Sequence, residues 1–246
     1  MLSCLKKHPF GVKAHFESSI VLTFALPKEQ LQSFIPACLT LDTYDDKWAF
    51  LAVAMVQTKD LRPRGFPAFL GNNFFLIGYR IFVRYKNNDG KNLRGLYILK
   101  SETDKKKMEL LGNIFTKYSY TTTDILKSED DISFSIESKK SGFTLKVSKE
   151  AKDILLPKNS IFKDWKEARR FAGPLPFTFS YNEKNNEVLI IEGKREQWIP
   201  KPLQIINYNF GFLKELNLSV AILANSFIIE NVPYHWKKGK IEKWIK

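Results

Sequence analysis

The segment from residue 73 to residue 123 constrains the fold most, because it predicts a strand hairpin, a helix and a return strand in close succession. Residues 73–85 and 93–100 are rich in β-branched and aromatic side chains, and the Asn-Asn-Asp-Gly turn at 87–90 predicts that they pair as a hairpin. The next segment is predicted to form a helix, because its apolar side chains recur at spacings of three and four. These side chains are Met108, Leu110, Leu111, Ile114 and Phe115. Residues 112–123 are predicted to hold the end of this helix and a return strand that starts beside the mouth of the sheet, and this is where we expect a chemical site.

Short strands closed by turns are predicted for most of the remaining chain. Apolar runs predict strands at 18–26, 39–43, 48–57, 131–137, 143–148, 177–181, 187–192, 203–210 and 221–229. Helices are predicted at 27–35 and 158–171. The pattern indicates an α+β fold that is mainly β, either a β-barrel or a sandwich with helices packed on it. Because the 246 residues contain no repeat or obvious linker, we predict a single domain over residues 1–246.

The formal net charge of +13 raises the question of a nucleic-acid or anionic-membrane partner. The basic residues are 31 Lys and 8 Arg, and the lysines are scattered along the whole chain. Base reading in nucleic acids favours clustered basic residues with prominent arginines. We therefore interpret the charge as a solvated surface, and a basic surface that binds nucleic acid or acidic partners is the weaker alternative.

Neither a targeting segment nor a membrane span is evident in the sequence. The first residues lack an apolar stretch of signal-peptide length, and no apolar run reaches the length of a membrane span. Cys4 and Cys38 are far apart and lack metal-ligand spacing, which fits a reducing compartment. We predict a cytoplasmic protein without a membrane partner.

The common catalytic and cofactor-binding motifs are absent, including Gly-x-Ser-x-Gly, Gly-x-Gly-x-x-Gly and His-Glu-x-x-His. The three histidines, His8, His15 and His235, do not cluster, and none has a second ligand at helical spacing. We therefore predict no metal site and no cofactor.

Arg80 is the most informative polar residue, because it lies inside an apolar predicted strand. A guanidinium there must reach solvent or find an anion. Alternation puts Arg80, Phe82 and Arg84 on one face of the strand, and Tyr79, Ile81, Val83 and Tyr85 are predicted on the other. A solvated face and a ligand clamp both fit. On the partner strand Ile98, Lys100 and Glu102 are predicted to share a face, which makes a cross-strand Arg80–Glu102 pair conceivable.

Lys100 and Lys117 are the candidate amine nucleophiles near this hairpin, since such a lysine needs a desolvated or cationic setting. An exposed surface position is the simpler interpretation of each. Tyr118 and Tyr120 are candidate hydrogen-bond donors to a ligand, although tyrosines also occur in strands without a function.

Several segments together give the chain a resemblance to the YqjF-like proteins of unknown function, which look like distant relatives of acetoacetate decarboxylase. The similar segments are Ile-Val-Leu-Thr-Phe at 20–24, Leu-Asp-Thr-Tyr at 41–44, Leu-Arg-Pro-Arg-Gly-Phe-Pro at 61–67, Arg-Ile-Phe-Val at 80–83, Gly-Leu-Tyr at 95–97, Gly-Pro-Leu-Pro at 173–176, and Trp198 with Pro202 and Leu203. The resemblance covers most of the chain. It implies a cone-shaped β-barrel with flanking helices and an internal cavity, and self-association into a homo-oligomer.

The resemblance also implies that the decarboxylase mechanism cannot run from its usual position in this sequence. In the decarboxylases the segment similar to 112–121 ends in a pair of lysines, of which the first forms a Schiff base. The matching positions hold Tyr120 and Thr121, and Ser119 replaces a proline. Lys117, at an odd offset, is predicted on the opposite strand face from Tyr120.

The YqjF-like pattern itself is kept only in part. Leu76 and Gly78 replace a glutamate and an asparagine, and the family tends to carry a histidine near Thr122. Arg80 is the site position that keeps the expected residue type.

Our main hypothesis is a small-molecule-binding barrel, with or without enzymatic turnover, for an anionic or carbonyl-bearing metabolite. The candidate ligand-binding residues are Arg80, Glu102, Tyr118, Tyr120 and Thr122. A non-catalytic sensing or assembly protein is the alternative, and a Schiff-base enzyme that uses Lys100 or Lys117 is a further one.

Overall fold

The computed structural model describes residues 2–150, 156–173, 175–196, 198–218 and 221–245, with side chains from residue 5 onward. Pro174 of the predicted 173–176 break and the side chain of Cys4 lie outside the described residues. The strands are β1 (Val12–Pro27), β2 (Thr40–Leu41), β3 (Trp48–Pro63), β4 (Asn72–Lys86), β5 (Asn92–Thr103), β6 (Tyr120–Thr122), β7 (Leu126–Glu129), β8 (Ser133–Ser138), β9 (Phe143–Ser148), β10 (Phe177–Asn182), β11 (Glu187–Arg195), β12 (Lys201–Pro202), β13 (Ile205–Phe210), β14 (Ile222–Trp236) and β15 (Lys240–Lys243). The α-helices are α1 (Lys28–Gln32), α2 (Lys106–Phe115), α3 (Trp165–Phe171) and α4 (Gly211–Glu215).

The larger sheet closes on itself within the described residues. Its strands follow the order β14-β1-β3-β4-β5-β10-β11, and β11 pairs again with β14. All neighbours in this ring are antiparallel except β5 and β10. The four remaining strands of the sheet, β2, β6, β12 and β15, pair with members of the ring. The prediction of a mainly β, α+β fold with a few helices is confirmed.

A second sheet, β13-β9-β8-β7, packs against one face of the ring and forms the main core with it. On β4 the residues Tyr79, Ile81, Val83 and Tyr85 are buried in this core. Their neighbours Arg80 and Phe82 point to the other face, into the ring. The predicted alternation along β4 is therefore confirmed.

The predicted unit at 73–123 forms as expected. β4 and β5 are a hairpin whose turn ends at Gly90, a glycine with φ of +77°, and α2 follows β5 almost directly. The return strand β6 has only three residues, and it pairs in parallel with β5 between Ser101 and Thr103.

The predicted helix at 158–171 is wrong in its first half. The helix α3 begins only after Asp164, whose carboxylate accepts a hydrogen bond of 2.7 Å from the backbone N–H of Glu167. An aspartate at this position caps the helix and satisfies one of its free N–H groups. Apolar spacing alone did not reveal this start.

A buried ion cluster joins β2, β4 and β5. The carboxylate of Asp42 is fully buried and accepts hydrogen bonds from Arg84 Nε at 2.6 Å and from Arg94 Nε at 2.7 Å. Arg94 also donates to the carbonyl of Phe171, at the end of α3. The cluster therefore ties the loop after α1, the hairpin and α3 together.

None of the helices in the described part of the chain combines the length and the hydrophobicity that a membrane crossing requires.

Candidate functional site

The ring encloses a cavity of about 370 Å³. All seven strands of the ring contribute side chains to it, as do α2 and the segment before β1. Most of the wall is apolar, with members such as Ala54, Val56, Leu76, Phe82, Ile98, Met108 and Phe227. A cavity of this size, with apolar walls and a few polar groups, is typical of small-molecule sites.

Arg80 reaches into this cavity from β4. Its side chain is half-buried and lines the cavity, and its buried Nε has no hydrogen-bond partner. Burial lowers the pKa of Arg80, but a guanidinium stays charged at neutral pH. Among the described residues that line the cavity there is no aspartate or glutamate. The charge of Arg80 therefore faces a cavity without an opposite protein charge.

Arg195 brings a second guanidinium into the same cavity, from the end of β11. It lies 4.1 Å from the ring centre of Trp198 and 5.6 Å from that of Tyr234, which is its partner on β14. Two aromatic faces at these distances attract and orient a guanidinium. Arg195 is therefore held by aromatic rings while its charge also lacks a carboxylate partner in the cavity.

Three tyrosines, Tyr118, Tyr120 and Tyr234, share the cavity with the arginines. Burial raises the pKa of all three, that of Tyr120 to about 12. Their hydroxyls are therefore protonated at neutral pH and act as hydrogen-bond donors rather than bases.

The position of Tyr120 follows from the local sequence of α2. The side-chain amide of Asn113 donates to the carbonyl of Tyr120 at 2.8 Å and accepts from its N–H at 2.9 Å. Gly112 lets the helix approach the ring, since an added Cβ would lie 2.4 Å from Cδ2 of Tyr120. The start of the return strand, which the sequence indicated as the position of a site, thus lies at the cavity.

Glu102 lies on the opposite side of the sheet from Arg80. It accepts hydrogen bonds from the hydroxyl of Tyr79 at 3.2 Å and from Lys100 Nζ at 2.9 Å. The prediction of a cross-strand pair between Arg80 and Glu102 is wrong. The pair does not form because β5 carries a bulge at Leu99. Tyr79 pairs with Lys100 but Arg80 pairs with Ile98, so Leu99 is an extra residue. A bulge of this kind shifts the alternation of faces by one residue.

Thr122 and the two candidate lysines also lie away from the cavity. The backbone N–H and the hydroxyl of Thr122 both donate to the carboxylate of Glu109. Lys100 lies 4.9 Å from the ring centre of Phe212, and Lys117 donates to the carbonyl of Tyr181 at 3.1 Å. No lysine occurs among the described residues that line the cavity. Of the five candidate ligand-binding residues, the cavity brings together Arg80, Tyr118 and Tyr120.

The sequence reasoning missed Arg195 and Tyr234, and also His8, whose burial lowers its pKa at the cavity wall. One usable signal was present for Arg195. In a chain with 31 Lys and 8 Arg, the choice of arginine is itself unusual. Within the described residues, no group of three or more His, Cys, Asp or Glu is placed to hold a metal ion.

Gly78 provides a direct test of how Arg80 is positioned. An added Cβ at Gly78 would lie 2.9 Å from Nε of Arg80 and 3.0 Å from its Nη2, so the guanidinium must move. Because only the end of a flexible side chain is displaced, we expect Gly78→Ala to keep the melting temperature within about 2 °C. Ligand affinity should fall by about tenfold or more, corresponding to about 1.4 kcal/mol.

Isothermal titration with any ligand that binds the wild type measures this effect. Gly90→Ala, in the turn far from the cavity, is the control, since an added Cβ there meets no atom within 4 Å. Its left-handed φ predicts the opposite outcome, lower stability with unchanged affinity. Unchanged affinity in Gly78→Ala would show that ligands do not use Arg80 in this position.

Comparisons with known proteins identify one matching protein family and several solved structures with a similar fold. The model of the DUF2071 family, described as an uncharacterized conserved protein, matches residues 13–239. No curated protein matches the sequence.

Solved structures resemble the chain over nearly its whole length. Acetoacetate decarboxylase from Legionella pneumophila subsp. pneumophila str. Philadelphia 1 has a TM-score of 0.61 at 10% identity, and the match covers 95% of this chain and 88% of that chain. An acetoacetate decarboxylase-like enzyme from Sphingomonas wittichii RW1 has a TM-score of 0.60 at 11% identity, covering 98% and 96%. The enduracididine biosynthesis enzyme MppR, complexed with pyruvate, has a TM-score of 0.55 at 9% identity, covering 95% and 90%.

These likenesses concern the fold. They confirm the predicted architecture of the acetoacetate decarboxylase type and the resemblance on which it was based.

Proposed function

This chain belongs to the DUF2071 family and has the fold of acetoacetate decarboxylase, and from that premise we propose that it binds a small organic anion, such as a carboxylate, inside the ring. The proposal extends the family assignment to a ligand class. It rests on the cavity and on the charges that face it.

The observation that carries the proposal is the pair Arg80 and Arg195, two guanidinium groups in one cavity without a lining carboxylate. The third arginine of the lining, Arg62, is already paired, because it lies 3.9 Å from the carboxylate of Asp60 and donates to the carbonyls of Asp60 and Phe66. A charge removed from water costs several kcal/mol unless it is paired and hydrogen-bonded. Protein structures retain such groups where they serve a function, because an apolar residue would be more stable in the same place. An anionic ligand would supply the missing partner.

The remaining walls indicate the rest of the ligand. The hydroxyls of Tyr118, Tyr120 and Tyr234 are donors, and donors favour carboxylate, phosphate or carbonyl oxygens. The apolar side chains favour a ligand with a hydrocarbon body. Pyruvate, the molecule found with the structural neighbour MppR, is a small carboxylate with a carbonyl group, which supports this ligand class.

The same walls favour binding over Schiff-base chemistry. An imine requires a lysine amine, and the described lining residues include neither a lysine nor a cysteine nor a carboxylate. The protonated tyrosines and charged arginines can hold an anion and polarise a carbonyl but are not bases at neutral pH, whereas His8, whose pKa burial lowers, lines the cavity as a neutral imidazole. The activity that we propose is recognition of the anion without an imine.

A melting-temperature screen tests the proposal. We expect linear and aromatic carboxylates and 2-oxo acids to raise the melting temperature, while the primary amide of each skeleton does not. A ligand at a hundred times its dissociation constant stabilises by about 2.7 kcal/mol. In a chain of this size that corresponds to roughly 5–10 °C. Acids and amides that shift the temperature equally, or no shift with any acid, would contradict the proposal.

A further inference from the structure

The two cavity arginines without a carboxylate partner come from strands that are not neighbours in the ring. Arg80 lies on β4 and Arg195 on β11, and in the closed order of seven strands these are separated by β5 and β10 on one side and by β3, β1 and β14 on the other. The two guanidinium groups therefore offer a ligand two separate contact points.

Each arginine has its own fixed setting. Arg80 lies over Gly78, whose missing Cβ leaves room for the guanidinium. Arg195 is held against Trp198 and Tyr234. A planar guanidinium that is oriented in advance loses little freedom when it forms paired hydrogen bonds with a carboxylate or phosphate.

The two charges also act on each other. Burial lowers the pKa of Arg195, and the positive charge of Arg80 lowers it further. Tyr234, beside Arg195, is within the electrostatic reach of both arginines. A ligand with one negative charge would leave this pair with a net positive charge, whereas a dianion would balance both guanidinium groups.

We propose that the cavity selects a dianion, with one anionic group bound by Arg80 and the other by Arg195. This inference rests on the proposed function and narrows its ligand class. The apolar side chains that make up most of the cavity lining fit a hydrocarbon spacer, so dicarboxylates with a short chain or an aromatic ring are the class expected. Specificity for two charges, rather than for one, is the property that Arg195 adds.

Matched pairs of acids test the selection. Isothermal titration compares hexanoate with hexanedioate, benzoate with benzene-1,4-dicarboxylate, and a series of α,ω-dicarboxylates of four to eight carbons. We expect the best dicarboxylate to bind at least tenfold more tightly than the monocarboxylate of the same skeleton. The series measures the distance between the two guanidinium groups, because only a spacer long enough to reach both gains the second contact.

Arg195→Gln assigns the second contact to its residue. It should reduce the affinity for the dicarboxylate much more than the affinity for the monocarboxylate, so that the ratio of the two affinities falls from at least tenfold to about one. Arg195→Lys, which keeps the charge and loses the planar fork, should fall between these values. It also provides a second variant if Arg195→Gln folds poorly.

The outcomes separate this inference from the proposed function. Monocarboxylates and dicarboxylates of equal affinity, both sensitive to Arg80, would overturn the dianion and retain the anion site. Dicarboxylate selectivity that persists in Arg195→Gln would assign the second charge to another residue and overturn the role of Arg195. No binding of any acid would overturn both proposals.

Discussion

Arg80→Met should raise the melting temperature of the ligand-free protein and remove its ability to bind a carboxylate. The buried Nε of Arg80 has no partner, and an unsatisfied buried polar group costs about 1–3 kcal/mol. Replacing the guanidinium by an apolar side chain of similar length should recover that amount, which corresponds to roughly 5 °C. The same change removes a charge-assisted contact to the ligand, for which we expect an affinity loss of at least about 30-fold, or 2 kcal/mol.

Thermal unfolding without ligand and titration with the best acid measure the two effects. Arg84→Met is the matched control, because Arg84 lies on the same face of β4 but bonds Asp42 outside the cavity. It should lower the melting temperature and keep the ligand affinity. A lower melting temperature in Arg80→Met would mean that the guanidinium stabilises the empty cavity, and the functional interpretation of its missing partner would then be wrong.

Asp42→Asn should be among the most destabilising single substitutions in this chain. Asp42 is fully buried, and its two oxygens accept from Arg84 at 2.6 Å and from Arg94 at 2.6 Å. Losing the central charge leaves two guanidinium groups facing each other across an amide. Breaking a buried ion pair typically costs 3–5 kcal/mol. Because Arg84 and Arg94 are 36% and 31% exposed and remain partly hydrated, we expect about 3 kcal/mol.

Denaturant unfolding measures this loss as a change of midpoint at constant slope. The control is Asp46→Asn, a nearby aspartate that is 86% exposed and pairs with Lys28 at 2.8 Å. An exposed pair contributes little, so the midpoint should stay unchanged within error. If Asp42→Asn also left the midpoint unchanged, the cluster would not hold the hairpin to the loop after α1.

The central unit at 73–123 was predictable because its signals are local. A turn of Asn, Asn, Asp and Gly closes a hairpin between two adjacent runs, and helical spacing in the next segment needs no information from the rest of the chain. The alternation that points Arg80 into the ring and Tyr79 into the core is local as well. The same holds for Tyr118 and Tyr120, which follow the helix directly.

The errors arise where a single residue changes the register. The bulge at Leu99 reverses the faces of Lys100 and Glu102, which alternation from Ile98 had placed on the side of Arg80. The Asp164 cap shortens the predicted helix at 158–171 in the same way, through one side chain that bonds one backbone group.

By itself, the sequence determined the mainly β fold, the hairpin–helix–strand unit and the alternation of faces along β4. Only the tertiary structure decided that β11 returns to pair with β14, which closes the ring and creates its cavity. That closure brings Arg195 and Tyr234 together with Arg80, although long stretches of chain separate them. The physical reason is that periodicity records which face of a strand is buried, whereas the pairing of distant strands depends on the free energy of the whole packed sheet.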